Sequence, residues 1–391
     1  MTEMTEVKRF DITSEVMDFI LDIKYERICG SDVTLETVKL FKEIISNTNW
    51  KTANELIHMI KLHGRTITKN TPLHSSVANM VRRILKIIRE EYVTLLKNKQ
   101  DDSYEESLHK IVTSEGYSDD YKKELPQLKL AIIDHLNEFE IELESSAENI
   151  AQQASEHIHS NEIIMTLGAN DTVKAFLKKA ATSRKFEVII AATEPFHEGH
   201  KMACSLGPRI PTTVISDSAI FAIMSRVNKV IIGTETVMAN GGLRAVCGTH
   251  VVALAAHHYS VPVIVLAPLE QLAPQYLCSY DEDSFNTFVS PEGVVKYSDG
   301  DVLSRVHVYN PVYDYVPPDL VTLFISNNGG HSPSYVYRLL TELYHPEDTG
   351  DLYFFQFLQY SECKQFNPRK LNIKGINSPR KKANLLQCLN V

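Results

Sequence analysis

Residues 227–266 read VNKVIIGTETVMANGGLRAVCGTHVVALAAHHYSVPVIVL, and this stretch decides the fold class. Two short apolar runs, 230–233 and 263–266, lie on either side of an alanine-rich segment. Continuous apolar runs of this length are typical of parallel strands that are covered on both faces. Residues 245–269 contain no Asp, Glu, Lys or Arg, but the sequence HHYSVP at 257–262 would interrupt a membrane-spanning helix. They therefore predict a buried helix followed by a buried strand.

Similar short apolar runs occur on both sides of this stretch. They are residues 163–166, 188–191, 213–215 and 321–325. Turn residues bound most of them, and the spacing between the first runs, about 25 residues, suits βαβ units. We therefore predict an α/β protein whose residues 156–350 form a Rossmann-like, doubly wound, mostly parallel sheet. In such a sheet, ligands or partners meet the carboxyl ends of the strands.

Residues 1–155 predict an all-helical N-terminal domain, because apolar residues recur there at i, i+3, i+4 spacing. Ser14 and Thr52 are expected to cap helices, and Gly64 is expected to end one. The longest predicted helix follows Pro126. One of its faces is acidic, and that face is either simply solvated or a surface for a basic partner. The acidic residues are Asp134, Glu138, Glu140, Glu142, Glu144 and Glu148.

Composition excludes several classes of protein. The 391 residues are 43% hydrophobic with a formal net charge of −9, which is unlike a disordered chain, a disulfide scaffold or a broadly basic nucleic-acid-binding protein. Six cysteines without a CxxC motif, and an N-terminus without an apolar signal segment, predict a reduced cytoplasmic protein. Residues 351–391 carry seven Lys or Arg against two acidic residues, and we expect a basic, poorly ordered tail.

Candidate site residues follow the first two predicted strands. Gly168 to Asp171 form either a weak anion site at a helix start or a plain turn. His197 and His200 lie one helical turn apart, so they are either two metal ligands or two surface histidines. No third ligand is evident, and we expect no metal.

Later strand ends supply further candidates. Asn240 lies in an Asn-Gly-Gly turn and either binds a ligand or holds the turn itself. A helix is expected from about Arg244, and His250, His257 and His258 lie in or just after it. The Asn-rich loop 327–331 follows the last strand. It could hold a ligand in an enzyme or a subunit contact in an interaction protein.

Three segments carry a resemblance to a known family. Residues 227–266, residues 161–177 (NEIIMTLGANDTVKAFL) and residues 313–348 (YDYVPPDLVTLFISNNGGHSPSYVYRLLTELYHPED) resemble the regulatory subunits of eukaryotic translation initiation factor 2B. The resemblance covers essentially residues 10–350. It implies a helical domain followed by a Rossmann-like domain, which is shared with isomerases of ribose and methylthioribose phosphates.

The related isomerases provide a chemical test. Their aldose–ketose chemistry needs a thiol and a carboxylate that move protons, and an arginine that binds phosphate. The positions that match these groups are Gly168, Gly242 and Glu194, respectively. Glycine cannot move a proton and glutamate repels a phosphate, so we expect these degenerate positions to leave no catalytic residues.

The resemblance implies a non-catalytic regulatory subunit of the guanine nucleotide exchange factor for initiation factor 2, in the core that senses phosphorylation of that factor's alpha subunit. The implied partners are initiation factor 2 and the alpha, gamma, delta and epsilon subunits of the exchange factor. No cofactor, nucleic acid or membrane is implied. A sugar-phosphate isomerase is the alternative, and a nucleotide-binding regulator is less favoured because a glycine-rich fingerprint is missing. The expected subunit-interface residues are Asn240, Arg244, Asn327, Asn328 and His331.

Overall fold

The computed structural model describes residues 11–97 and 121–349, apart from residues 26, 29, 31, 72, 73, 277–285, 287, 299 and 304. The predicted basic tail, 351–391, lies outside the described residues. The described residues all belong to one compact unit, Met1–Leu352. Helices come first and the sheet begins at residue 163, while the predicted division into domains at 155 and 156 stays a prediction.

The N-terminal part consists of long helices with apolar faces that pack on one another. They are α1 (Ile12–Lys24), α2 (Asp32–Asn47), α3 (Ala53–Asn70), α4 (Ser75–Lys97) and α5 (Leu128–Gln152). The predicted helix after Pro126 is confirmed as α5. Its apolar stripe, including Leu128, Ile132 and Leu136, is buried.

Helix ends in this part confirm one prediction and correct another. The Thr52 hydroxyl accepts the backbone N–H of Glu55 at 3.3 Å, so Thr52 caps α3 as expected. Ser14 is not a cap, because it lies inside α1. The cap is Asp11, whose carboxylate accepts the N–H of Thr13 at 3.1 Å. Both Asp and Ser are favoured caps, so the sequence did not decide between them.

Gly64 does not end α3, contrary to the prediction. The helix continues for six residues to Asn70 because Gly64 lies against α4. A Cβ atom at this position would be only 2.6 Å from Cγ1 of Val81. The glycine therefore permits a close approach of two helices rather than a turn.

The main sheet has seven described strands, which are β1 (Ile163–Leu167), β2 (Glu187–Ala191), β3 (Thr212–Ile215), β4 (Lys229–Gly233), β7 (Val263–Leu266), β9 (Leu323–Ser326) and β10 (Gly329–His331). Their order in the sheet is β3-β2-β1-β4-β7-β9-β10. The first six are parallel, and β10 is antiparallel to β9. Numbered along the chain, the parallel strands follow the doubly wound order 3-2-1-4-5-6. All six strands predicted from the apolar runs are confirmed.

A second, three-stranded antiparallel sheet replaces the helix that we expected from about Arg244. It consists of β5 (Thr236–Val237), β6 (Leu243–Val246) and β8 (Tyr313–Val316), in that order. Asn240 and Gly241 turn the chain between β5 and β6, and Gly241 has a φ of +80°. Asn-Gly is a strong hairpin signal, so the turn joins two strands. The apolar helix starts later, at Thr249.

Helices cover both faces of the main sheet, as predicted. The remaining helices are α6 (Ala154–His157), α7 (Asp171–Ala180), α8 (Glu198–Leu206), α9 (Ile220–Met224), α10 (Thr249–His258), α11 (Gly300–Leu303), α12 (Val336–Leu343) and α13 (Pro346–Thr349). One core lies under α7, α8 and the end of α5, and the other lies under α9, α10 and α12. No helix in the described part of the chain is long and apolar enough to span a membrane.

A buried ion cluster joins the last short helix, α13, to the N-terminal helices. The Asp348 side chain is fully buried. Its carboxylate accepts hydrogen bonds from Nε and Nη2 of Arg89, both at 3.1 Å. It also lies 2.8 Å from Nζ of Lys61. Nε of Arg82 donates to the Asp348 carbonyl at 3.2 Å. The cluster therefore fixes the end of the described chain against α3 and α4.

Candidate functional site at the carboxyl edge of the sheet

The order of the main sheet reverses between β1 and β4, and folds of this kind bind ligands outside the carboxyl ends of such strands. Gly168 follows β1 with a φ of +68°. Its N–H donates to the Thr193 hydroxyl at 2.9 Å, which links the ends of β1 and β2. A Cβ atom at Gly168 would meet no atom closer than 3.9 Å. The backbone conformation favours glycine here, while the space would admit a side chain.

The Asn170 side chain bears on the choice between an anion site and a plain turn after β1. Its side chain accepts the N–H of Val173 at 3.1 Å and so caps α7. This local use of Asn170 supports the plain turn after β1 rather than an anion site.

A carboxylate organises the end of β2. The backbone N–H groups of Thr193 and Glu194 donate to the two oxygens of Asp217, at 2.9 and 2.7 Å. The Glu194 side chain is exposed. An Oε2 atom of Glu198 also lies within 4.0 Å of the Cβ position at Gly168. The crevice at the carboxyl ends of β1, β2 and β4 therefore carries negative charge beside β2. This charge opposes the binding of a phosphate.

The two histidines of the HxxH motif are exposed. The rings of His197 and His200 pack edge to face, with their centroids 5.3 Å apart. Within the described ranges, no group of three or more His, Cys, Asp or Glu residues is arranged to hold a metal ion. The geometry therefore favours surface histidines over metal ligands.

Asn240 holds its own turn. Its Oδ1 accepts the N–H of Gly242 at 2.9 Å, and its Nδ2 donates to the Tyr315 hydroxyl at 2.9 Å. A Cβ atom at Gly242 would lie 2.7 Å from Cε2 of Tyr315 and 2.8 Å from the hydroxyl oxygen. The Tyr315 ring thus fills the space that a side chain at 242 would need.

Arg244 is buried on β6, and its guanidinium carbon lies 4.2 Å from the centre of the Tyr313 ring. Burial raises the pKa of Glu235, and the charge of Arg244 partly opposes that rise. Burial also raises the pKa of the Tyr313 hydroxyl, with Glu235 adding to the rise. Arg244 therefore interacts with two groups of its own chain, the Tyr313 ring and the Glu235 carboxyl.

A thiol and a carboxylate meet at the start of α10. Asp314 on β8 accepts the N–H groups of Gly248 and His250, at 2.7 and 3.3 Å. Burial, together with the neighbouring Asp314, raises the pKa of Cys247 to about 11. At neutral pH this thiol is protonated and a poor nucleophile.

The loop predicted at 327–331 is shorter than expected, because residues 327 and 328 form a hairpin turn and residues 329–331 form the strand β10. Oδ1 of Asn327 accepts the N–H of Leu269 at 3.2 Å, and its Nδ2 lies 3.5 Å from Glu142. Asn328 is exposed at the turn. The His331 ring stacks on Tyr335 with centroids 5.2 Å apart, and burial lowers its pKa. Only two of the five interface candidates, Asn240 and Asn328, are exposed.

An apolar surface lies on α9 and α10. Val251 and Leu254 of α10 are about half exposed, at 53% and 50%, and Val252 between them is buried. The Phe221 ring of α9 contacts the rings of His258 and Tyr259, at 5.1 and 5.3 Å. We call Phe221, Val251, Leu254, His258 and Tyr259 the α9–α10 patch. Contiguous exposed apolar surface of this kind commonly marks an interaction site.

Sequence reasoning missed Tyr315, Asp314 and the role of Cys247. Tyr315 and Asp314 lie on β8, which the sequence analysis did not predict, and they reach residues about seventy positions earlier in the chain. No local spacing signals contacts over that separation. The weak signal that was available is the YDYV sequence at 313–316, whose alternation suits a half-buried strand.

Comparison with known proteins gives a consistent result. The model of the Initiation factor 2 subunit family matches residues 29–333. The translation initiation factor eIF2B subunit beta of Dictyostelium discoideum is 44% identical over 370 residues, covering 84% of this chain and 95% of the relative.

Two further comparisons concern the fold and the similarity to sugar-phosphate isomerases. The crystal structure of the tetrameric eIF2B beta2-delta2 complex from C. thermophilum has a chain that superposes with a TM-score of 0.65 at 23% identity, covering 86% of this chain and 96% of that one. The ribose 1,5-bisphosphate isomerase of Archaeoglobus fulgidus is 29% identical over 217 residues, covering 54% of this chain and 67% of the enzyme.

Proposed function

The chain belongs to the Initiation factor 2 subunit family, and we propose that it works as a non-catalytic regulatory subunit of the guanine nucleotide exchange factor that acts on initiation factor 2. The observation that carries the proposal is the 44% identity to a beta subunit over nearly the whole length of both chains. In this role the chain helps to build the core that senses phosphorylation of the alpha subunit of initiation factor 2. The proposed location is the cytoplasm.

The partners follow from this assignment. The solved relative that contains beta and delta chains supports a delta-type subunit as the direct partner. We propose that the alpha, gamma and epsilon subunits and initiation factor 2 itself complete the set. Differential binding of phosphorylated and unphosphorylated factor would bias two arrangements of the complex.

The proposed subunit contact combines polar and apolar surface. The α9–α10 patch supplies exposed apolar area, which stable subunit interfaces need. Asn240, Arg244, Asn327, Asn328 and His331 are proposed to shape or border the contact. Because Arg244 is buried and Asn327 is engaged within the chain, their contribution would be to hold the strand ends in place.

The absence of isomerase activity is the second part of the proposal. Gly168, Glu194 and Gly242 occupy the positions that match the isomerase thiol, arginine and carboxylate. The Tyr315 ring leaves no space for a carboxylate at 242, and the Asp217 and Glu194 carboxylates oppose a phosphate. The test is turnover of ribose and methylthioribose phosphates by the purified chain, for which we expect no rate above background.

The subunit role is tested by affinity purification from native lysate. We expect the wild-type chain to bring down exchange-factor subunits. Leu254→Asp, which places a charge in the α9–α10 patch, should lose the delta-type partner. The matched control is Leu130→Asp, at an exposed leucine of α5 that is 68% accessible. Equal recovery of partners by both variants would refute the assignment of the patch, and recovery of no such subunit by wild type would refute the function.

The alternative function, a sugar-phosphate isomerase, is favoured by one observation, the 29% identity to an archaeal isomerase. It requires that other residues of the crevice replace the missing groups. Cys247 is the nearest thiol to the α10 start, but its pKa of about 11 opposes acid–base work at neutral pH. Steady turnover that is lost in Cys247→Ser would establish this alternative.

A further inference from the structure

The chain contains two Asn-Gly pairs, Asn240-Gly241 and Asn328-Gly329. Both asparagines are exposed, and each pair lies at a turn between two antiparallel strands. Glycine lacks a Cβ atom, so the backbone nitrogen of a glycine can approach the side-chain carbonyl carbon of the asparagine before it. The two pairs share this chemistry and differ in the contacts that hold them, so each is a reference for the other.

Hydrogen bonds hold the pair at 240. Oδ1 of Asn240 accepts the N–H of Gly242, and its Nδ2 donates to the Tyr315 hydroxyl, both at 2.9 Å. The N–H of Gly241 donates to the Met238 carbonyl at 2.9 Å, and Gly241 is buried. The Gly241 nitrogen can approach the Asn240 side chain only if these hydrogen bonds break together. Each broken bond adds to the barrier, so this pair is protected.

The pair at 328 is open. The backbone N–H of Asn328 donates to the Ser326 hydroxyl at 3.2 Å, but its side chain has no hydrogen bond to any residue that the structure describes. Gly329 has a φ of +120°. Beyond its chain neighbours, no atom lies within 4 Å of the position that a Cβ atom of Gly329 would take. The Asn328 side chain is therefore free to rotate toward the Gly329 nitrogen.

The position of this turn in the sheet also favours movement. The strand β10 that follows it has three residues and lies at the edge of the main sheet, beside β9. A short pairing at a sheet edge opens at a lower free-energy cost than the core of the sheet. The turn at 240 instead leads into β6, the central strand of the second sheet. Local opening should therefore expose the pair at 328 more often than the pair at 240.

The neighbouring Asn327 is held in place. Its Oδ1 accepts the N–H of Leu269 at 3.2 Å, and its Nδ2 lies 3.5 Å from Oε1 of Glu142. The residue after it, Asn328, has a side chain that obstructs the approach of its nitrogen. Only the second asparagine of the turn therefore has both an unbonded amide and a glycine after it.

We propose that Asn328 is a site of spontaneous deamidation, in which the chain modifies itself through a cyclic imide. The Gly329 nitrogen loses its proton to water or hydroxide and attacks Cγ of Asn328, so that an N–C bond forms. The bond from Cγ to Nδ2 breaks, and the amide nitrogen takes up a proton and leaves as ammonia. Water then opens the imide at either carbonyl, which gives aspartate or isoaspartate. One water is consumed and one ammonia is released, without oxidation or reduction.

Both products place a carboxylate at the turn. It arises next to Asn327, whose amide lies near the Glu142 carboxylate, so a second negative charge enters this surface. Isoaspartate also lengthens the backbone by one methylene where β9 turns into β10. We expect this to disrupt the pairing of Gly329 with Ser326 that begins β10. The inference rests on the two turns alone and does not depend on the proposed function.

The test is incubation of the purified full chain at pH 8 and 37 °C in water enriched in oxygen-18, followed by peptide mapping over time. We expect aspartate and isoaspartate that carry oxygen-18 at 328. They should form about tenfold faster than at 240, because three hydrogen bonds hold the Asn240 turn. An isoaspartyl methyltransferase should label the same peptide. The rate at 328 should rise with pH, because the attacking nitrogen must first lose a proton.

Two variants test the role of each turn. Asn328→Gln keeps an amide but requires a larger ring for the same attack, so it should abolish methyltransferase labelling of this peptide. Tyr315→Phe removes the hydroxyl that holds Asn240, so it should raise the rate at 240 several-fold and leave the rate at 328 unchanged. Circular dichroism establishes that each variant is folded, and a fold defect in either leaves the comparison of the two sites in wild type to decide.

Two results would overturn the proposal. One is conversion at 328 that is no faster than conversion at 240 in the wild-type chain. The other uses a synthetic peptide of residues 325–331, which sets the rate for the same pair without the fold. A chain that keeps Asn328 intact after this peptide has been converted would show that the hairpin protects the turn.

Discussion

Removal of one charge from the buried ion cluster should cost much of the stability of this chain. In Asp348→Asn the side chain keeps its shape and loses its negative charge. Arg89, whose side chain is 6% exposed, and Lys61, at 17%, then face each other with only an amide between them. Breaking a buried ion pair by neutralising one partner costs about 3–5 kcal/mol. We expect a loss in that range because Asp348 is the carboxylate that both cations contact.

The neighbouring residue provides a matched control. Glu347 also pairs with Arg89, at 2.9 Å, but its side chain is 57% exposed. Exposed ion pairs contribute about 0–1 kcal/mol, so Glu347→Gln should change stability by less than about 1 kcal/mol. Both variants remove one negative charge from α13, so they have the same net charge and differ in burial.

The assay is urea denaturation followed by circular dichroism at 222 nm. The free energy of unfolding is extrapolated for wild type and both variants, and the slopes are compared to establish that the transitions are alike. If the loss in Asp348→Asn is no larger than the loss in Glu347→Gln, the burial argument is refuted. Equal losses would mean that water reaches the cluster and screens it.

Three further predictions use the same purified chain. Gly64→Ala should lower the free energy of unfolding by about 1–3 kcal/mol, because the added methyl group overpacks against Val81. Adding Val81→Ala to the same chain should recover part of this loss, as measured by urea denaturation. A chain stabilised by Gly64→Ala would contradict the prediction. Burial raises the pKa of Glu270 to about 7, against about 4.3 in an unfolded chain, so as pH rises from 4.5 to 7 wild type should lose about 2–3 kcal/mol more stability than Glu270→Gln loses, as measured by urea denaturation at both pH values. The exposed Cys204 should react with iodoacetamide at pH 8 well before Cys247, whose pKa is about 11, in peptide mass mapping; equal rates would show that burial does not protect the thiol.

The main sheet was predictable because its signal is local. Each parallel strand is a continuous apolar run with turn residues at its ends. Short runs of this kind are typical of strands that are buried on both faces. The helical N-terminal part was predictable for the same reason, from the 3.6-residue period of its apolar residues. The predicted helix boundary was wrong where two nearby residues were both favoured helix caps, as Asp11 and Ser14 are at the start of α1.

The second sheet and the crevice were not predictable in the same way. The turn at Asn240 and Gly241 was predicted, but a helix was expected to follow it from about Arg244, where the structure has the strand β6. The contacts that define the crevice join residues far apart in the chain, such as Gly242 and Tyr315. Spacing patterns carry no information on such pairs. The contact between Gly242 and Tyr315 is therefore visible only in the three-dimensional structure.

The contact between Gly242 and Tyr315 also has an evolutionary consequence. Any single mutation that adds a side chain at 242 brings it against the tyrosine ring, and any mutation that first removes the ring takes a hydrogen bond from Asn240. Each intermediate is less stable than its ancestor. A lineage with this pair can therefore acquire an acidic group at 242 only through a costly two-step path.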